Sequence, residues 1–235
     1  MNSPNVTFEV FTQGDLEFLY TRWVSGKFDL SDMLNTIAPH LDHSQLSRYQ
    51  RIKNTLKQEE FVLSRALIHQ KFPELQIKFL PSGKPIFPKS HLGSISHHKN
   101  HAILATAYNQ ETRFKGLGVD IEKTVVSTKL IPKIAPQENL LSLSKNLNLS
   151  EEETLAVIFS AKESTYKAAP CSLQRELTFS NVVATESTCL TEGHGELILE
   201  STLRPAKISF GTKIRANYQF LNKGNHPLLL TYVIF

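Results

Sequence analysis

Two stretches of this chain have residue types and spacings that could do chemistry: GVDIEK (Gly118–Lys123) and FSAKESTYKA (Phe159–Ala168). On a strand, Asp120 and Glu122 share one face, with backbones about two residue rises, roughly 7 Å, apart, and their carboxylates can converge at the tips. Two carboxylates so placed repel, which makes a divalent cation their natural companion. Glu163 offers a third carboxylate, with Lys162 and Lys167 beside it. Three oxygen ligands with open positions suit Mg²⁺, which keeps waters and shares a substrate's phosphates. The adjacent cations suit a bound pyrophosphate and the charge that develops in phosphoryl transfer. Two structural alternatives stand beside this chemistry. Asp120 and Glu122 also fit the polar side of a half-exposed strand, and Glu163 with Lys167 has the i,i+4 spacing of a solvated helix pair, worth a few tenths of a kcal/mol.

Such residues need elements to hold them. Residues 115–123 (KGLGVDIEK) read as a strand with Val119 and Ile121 on one side and the acids on the other. LSEEETLAVIFSAKESTYKAAP reads as a helix opened by a capping box of Ser150 and Glu153 and closed at Pro170. Upstream, Val6–Phe11 is strand-like, and residues 43–71 show apolar steps of three and four that predict two helices. Arg48, Arg51, Lys53, Lys57 and Arg65 make the polar side of that region basic. Leu80–Pro88 (LPSGKPIFP) has the composition of a turn, and Gly93–Tyr108 predicts strand, turn at Lys99-Asn100, and strand. A run with Pro132 and Pro136 reads as irregular. Residues 177–235 alternate like strands, with turn signals at Glu192–Gly195 and Asn222–His226 and a closing apolar strand within Pro227–Phe235.

Other signals exclude more than they assign. The Gly116-Leu-Gly118 pair has Ile121 where a dinucleotide fingerprint needs glycine, and no helix follows. His97 and His101 lack the glutamate and the helix of a zinc site. Lys84 in SGKP lacks the glycines and the helix of a Walker loop. The two cysteines, Cys171 and Cys189, have no metal or redox spacing. With 235 residues, 40% hydrophobic and 20% charged, the chain suits one or two modest globular lobes. A net charge of +4 favours an acidic partner or a phosphorylated ligand and is too small to argue for nucleic acid. The opening residues carry Glu9, Asp15 and Glu17 where a signal peptide needs an apolar run, and PLLLTYVIF is too short to span a bilayer. A cytoplasmic protein that acts on no membrane is expected.

GSISH (Gly93–His97), GVDIEK and FSAKESTYKA, in this order and spacing, resemble the signature of the 4′-phosphopantetheinyl transferases, in their larger, surfactin/enterobactin-type class. Phe159 and the SAKES wording are most similar to the branch typified by the enterobactin synthase component D. The likeness runs from about residue 45 to 170. It implies an α+β fold of two similar lobes related by a pseudo-twofold axis, here 1–115 and 116–235, with coenzyme A in the cleft between them. It implies that Asp120, Glu122 and Glu163 bind Mg²⁺ and that Lys167 stabilises or protonates the leaving phosphate. Ser96 and His97 match contacts to the 3′-phosphate, and Gly83, Lys84 and Pro85 match the loop beside the adenine. Arg51 and Arg65 match phosphate contacts loosely, and Glu138 matches an acid that helps set Lys167.

The implied reaction is attack of a carrier-protein serine on the β-phosphorus of coenzyme A, with a carboxylate such as Glu163, directly or through water, as base, a role the sequence alone leaves open among the acids. Partners would be coenzyme A and an apo acyl, aryl or peptidyl carrier, with the enzyme a monomer. The branch tilts the carrier toward siderophore-type non-ribosomal peptide synthesis. His98, Lys99 and His101 depart from the small or neutral residues usual after SISH, and apolar Ile121 leaves the third ligand to Glu163. A metal-dependent pyrophosphate or phosphodiester hydrolase would use the same acids. A basic nucleic-acid-binding module would need interleaved aromatic and basic residues, which the acidic motifs do not provide.

Overall fold

The computed structural model describes residues 5–80, 83–109, 114–124, 134–135, 137–203, 213–221 and 227–235. It is a mixed α+β structure with antiparallel sheets, and it divides into two compact units, Met1–Arg113 and Phe114–Phe235.

In the first unit, strands β1 (Val6–Gln13), β2 (Leu16–Trp23), β5 (His91–His98) and β6 (His101–Tyr108) form an antiparallel sheet in the order β1-β2-β6-β5. Helices α1 (Leu30–Ile37), α2 (His43–Arg51) and α3 (Thr55–Lys71) accompany it, each started by a side-chain cap from Asp29, Asp42 or Asn54. Helix α3 is the centre of this unit. Every residue from Glu59 to Ile68 is buried, and Phe61, Val62, Leu63, Ala66 and Leu67 join Trp23, Ile37, Ile77 and Leu104 in one core. A helix buried on all sides, with Glu59, Glu60, Ser64 and Arg65 inside as well as its apolar residues, is one that neighbours cover all round. The expected turn between β5 and β6 falls at Lys99-Asn100, with Lys99 at a φ of 49°. The expected turn after Leu80 lies between two short strands, β3 (Lys78–Phe79) and β4 (Pro85–Ile86).

In the second unit, β7 (Leu117–Lys123), β8 (Val182–Thr191), β9 (His194–Ser201), β10 (Lys213–Phe220) and β11 (Leu228–Ile234) form a fully antiparallel sheet in the order β7-β11-β10-β9-β8. The last strand in sequence is therefore next to the first. Helix α4 (Gln137–Leu147) precedes α5 (Glu151–Ala168), and a short α6 (Cys171–Gln174) follows Pro170. The capping box of Ser150 and Glu153 is formed, and α5 ends at Ala168, two residues before Pro170, with Ala169 as its cap. Leu155, Ile158 and Ala161 of α5 meet Leu197, Leu199, Leu229 and Val233 of the sheet in the core.

The Gly116-Leu-Gly118 pair explains how closely α5 lies on β7. A Cβ at Gly118 would stand 1.8 Å from the carbonyl oxygen of Ser164, and one at Gly116 would stand 2.2 Å from that of Ala168. Both glycines serve contact between strand and helix. The irregular run with Pro132 and Pro136, the turn at Asn222–His226 and the side chain of Glu138 lie outside the described residues.

Candidate functional site

The two motifs of the second unit meet where α5 crosses β7. Asp120, expected on the polar side of its strand, is buried beneath the helix at 7% exposure, and Glu122, two residues on, is half-buried. Lys167, in the last turn of α5, reaches back to donate to Asp120 Oδ1 at 2.7 Å and to the Val119 carbonyl at 3.1 Å. It thus forms an ion pair with Asp120 across the fold, a partner that spacing along the helix did not suggest. The other carboxylate oxygen of Asp120 accepts from Ser160 Oγ at 2.8 Å. Glu122 turns one oxygen toward the backbone, accepting from the Lys123 N–H at 2.8 Å.

Glu163 is half-buried and its proton affinity is raised. Burial is the main cause, the negative charges of Asp120 and, less, Glu122 add to it, and Lys167 opposes them. The three carboxylates therefore share one electrostatic neighbourhood, as anions do that a dication would relieve. Among the described residues no three His, Cys, Asp or Glu side chains converge on a point that could hold a metal ion. The donor set is all hard oxygen and suits Mg²⁺ by its chemistry, while Asp120 Oδ1 is turned to the Lys167 ammonium.

Lys162 does not join this cluster. The residue is buried, and its Nζ donates to the carbonyls of Ile134 and Phe179, each at 2.6 Å. Burial lowers its pKa from 10.5 to about 8. It walls a cavity of about 240 Å³ together with Glu163 and Tyr166 of α5, Leu177, Phe179 and Val182. Phe179 in turn stacks on Phe159, ring centroids 5.3 Å apart. Phe159 thus supports the cavity wall from the start of the FSAKES motif.

In the first unit, Ser96 is buried on β5 and His97 is exposed, with Nδ1 3.5 Å from Glu60 Oε2. Glu60 is buried on α3 and also pairs with Lys57 at 2.7 Å. Gly83 takes a φ of 87°, a left-handed conformation that favours glycine, and its N–H donates to the Leu80 carbonyl at 2.8 Å. Lys84 is partly buried and Pro85 begins β4. Arg51 stands exposed at the end of α2.

Arg65 is a correction. Expected on the basic polar side of its helix, it is buried, with its guanidinium 3.7 Å from the centre of the Phe61 ring and 4.3 Å from that of Phe79. It donates to Gln45 Oε1, Ser64 Oγ and the Phe61 carbonyl. Burial, and then Arg48, lower its pKa to about 9. The periodicity of three and four could not show this, because α3 is covered on every side and has no polar face over those turns.

Residues that sequence reasoning missed are Ser160, Ser164 and Thr231, which are fully buried around Asp120. The two serines sat in the quoted motif as ordinary hydroxyls, and Thr231 was the one polar residue of the closing apolar strand, which was its only signal.

Residues 116–226 match the family model of the 4′-phosphopantetheinyl transferase superfamily. The match covers a little under half of the chain and includes β7, α5 and the acids Asp120, Glu122 and Glu163. No curated protein matches the chain.

Proposed function

We propose that this protein transfers the 4′-phosphopantetheine arm of coenzyme A to a serine of an apo carrier protein or domain, giving the holo carrier and 3′,5′-ADP. The observation that carries this is the 2.7 Å pairing of Lys167 with Asp120, which joins the two motifs into one charged cluster within the family match. Asp120, Glu122 and Glu163 would hold Mg²⁺, which when bound supplies positive charge for the pyrophosphate. Lys167, whose ammonium already pairs with Asp120, meets the charge that develops on the leaving oxygen. Glu163, whose affinity for a proton is raised, accepts the proton of the attacking serine, directly or through water.

The cavity beside Glu163 takes the pantetheine arm. Leu177, Phe179 and Val182 offer apolar walls, while Lys162 and Tyr166 add a few polar atoms, the usual make-up of a small-molecule site. In the first unit, Ser96 and His97 are assigned to the 3′-phosphate, Gly83, Lys84 and Pro85 to the adenine end, and Arg51 to a phosphate. The burial of Arg65 gives it support of the β3–β4 segment through Phe79 as a second task beside phosphate attraction. We place the protein in the larger, enterobactin-type class, acting as a cytoplasmic monomer on a siderophore-type peptide synthetase.

Mixing the protein with coenzyme A, Mg²⁺ and a panel of apo carrier domains, followed by intact mass measurement, tests this. Peptidyl and aryl carriers of siderophore type should gain the arm, with one 3′,5′-ADP released per transfer. Release of 3′,5′-ADP from coenzyme A with no carrier present would instead mark a hydrolase, and no gain on any carrier would overturn the transferase reading.

A further inference from the structure

Between α5 and β11 lie three hydroxyls that the chemistry above does not use. Ser160, Ser164 and Thr231 are each 0% exposed. Hydroxyls buried this deeply are unfavourable unless their hydrogen-bonding capacity is met. Each carries one proton, and that count gives the direction of every bond. An ionised carboxylate only accepts, so the Ser160 proton lies in the 2.8 Å contact with Asp120 Oδ2. The 2.8 Å contact between Ser160 Oγ and Thr231 Oγ1 must then be donated by Thr231. That commits the Thr231 proton, so Ser164 donates across the 2.7 Å contact to Thr231 Oγ1, its proton shared with the Thr231 carbonyl at 3.1 Å.

We infer that Ser164, Thr231 and Ser160 form a one-way hydrogen-bond chain ending on Asp120 Oδ2, and that Thr231 is a positioning residue which acts on Asp120 through Ser160. Bonds aligned head to tail reinforce one another in a low-dielectric interior. The chain holds one oxygen of the carboxylate against the helix and so leaves Oδ1 facing Lys167. Packing alone does not ask for threonine here, since Leu229, Leu230 and Val233 of the same strand are apolar and fully buried. The close approach allowed at Gly118 is what brings α5 near enough for Ser160 to span the gap. The functional meaning rests on the proposed role of Asp120 as a metal ligand, whereas the orientation of its side chain does not.

Two measurements on the full-length protein test it. The first compares crystal structures of the wild type and Thr231→Val, both metal-free. The expected result is one orientation of the Asp120 carboxylate in the wild type and a rotated or divided one in the variant. The second measures Mn²⁺ affinity by electron paramagnetic resonance with coenzyme A present. Thr231→Val should weaken it about tenfold, as lost outer partners of metal ligands do, and Thr231→Ser should restore it to within about twofold of the wild type. Adding Thr231→Val to Ser160→Ala should weaken it no further than Ser160→Ala alone, because the two act in series.

An unmoved Asp120 with Mn²⁺ affinity within twofold of wild type in Thr231→Val, or independent losses at the two sites, would overturn the chain. If the wild type takes up no Mn²⁺, the metal reading of the site falls, and the orientation of Asp120 in the two crystals still decides the chain. A purely structural role would shift Tm without moving either readout.

Discussion

Glu163 carries a conflict between stability and chemistry. In the folded protein its carboxyl binds a proton more tightly than its ordinary value of 4.5 allows, so ionised Glu163 costs stability at neutral pH, and that cost fades as the pH falls toward 4.5. Without divalent metal, Glu163→Gln should therefore raise stability at pH 7. Thermal unfolding should show the gain shrinking as the solution is acidified, while arm transfer is lost. Asp120→Ala is expected to abolish transfer and leave the fold intact by circular dichroism, and near-normal transfer with Mg²⁺ in that variant would remove Asp120 from the site. At Arg65 the surroundings are two aromatic rings and neutral acceptors, so Arg65→Ala should cost about 3 kcal/mol through lost packing and orphaned partners. Denaturant unfolding with Arg65→Met as control separates packing from charge, since the apolar stem still fills the space.

At the scale of elements, the contact of α5 with β7 is the joint on which the acids depend. Gly118→Ala would drive a methyl into the Ser164 carbonyl, and the resulting shift of helix from strand should cost about 3 kcal/mol or more. Transfer activity should fall far more than it does for a cap variant such as Ser150→Ala, which is expected to cost about 1 kcal/mol and to leave the chemistry alone. Comparing Tm and transfer rate in the two variants checks this. Much of this frame was legible in the sequence. Ser150, Glu153 and Pro170 marked α5, and alternation marked the strands after residue 177, because caps and period-two patterns are local. Strand β2 and helix α1 were not, since LEFLYTRW is buried on both faces nearly throughout and does not alternate, and α1 is only eight residues long. The acids were found by type and spacing. The partner of Lys167 was not, because a contact across 47 residues is set by how closely the helix lies on the strand.

For the whole molecule, the mild charge of +4 bears on encounter more than on chemistry. With an acidic carrier, kcat/KM should fall several-fold between low and high salt while kcat with saturating carrier changes little, a pattern steady-state kinetics at two salt concentrations can read. An uncharged small acceptor should show no such loss. The seam of Gly116 and Gly118 also restricts how this protein can change. In a library of single substitutions selected for activity, position 118 should return glycine alone, whereas Val182 and Leu177, whose side chains end at a cavity, should return a spread of apolar residues. New acceptor or cofactor preferences would then arise by reshaping that cavity, while the seam stays the same across every successful variant.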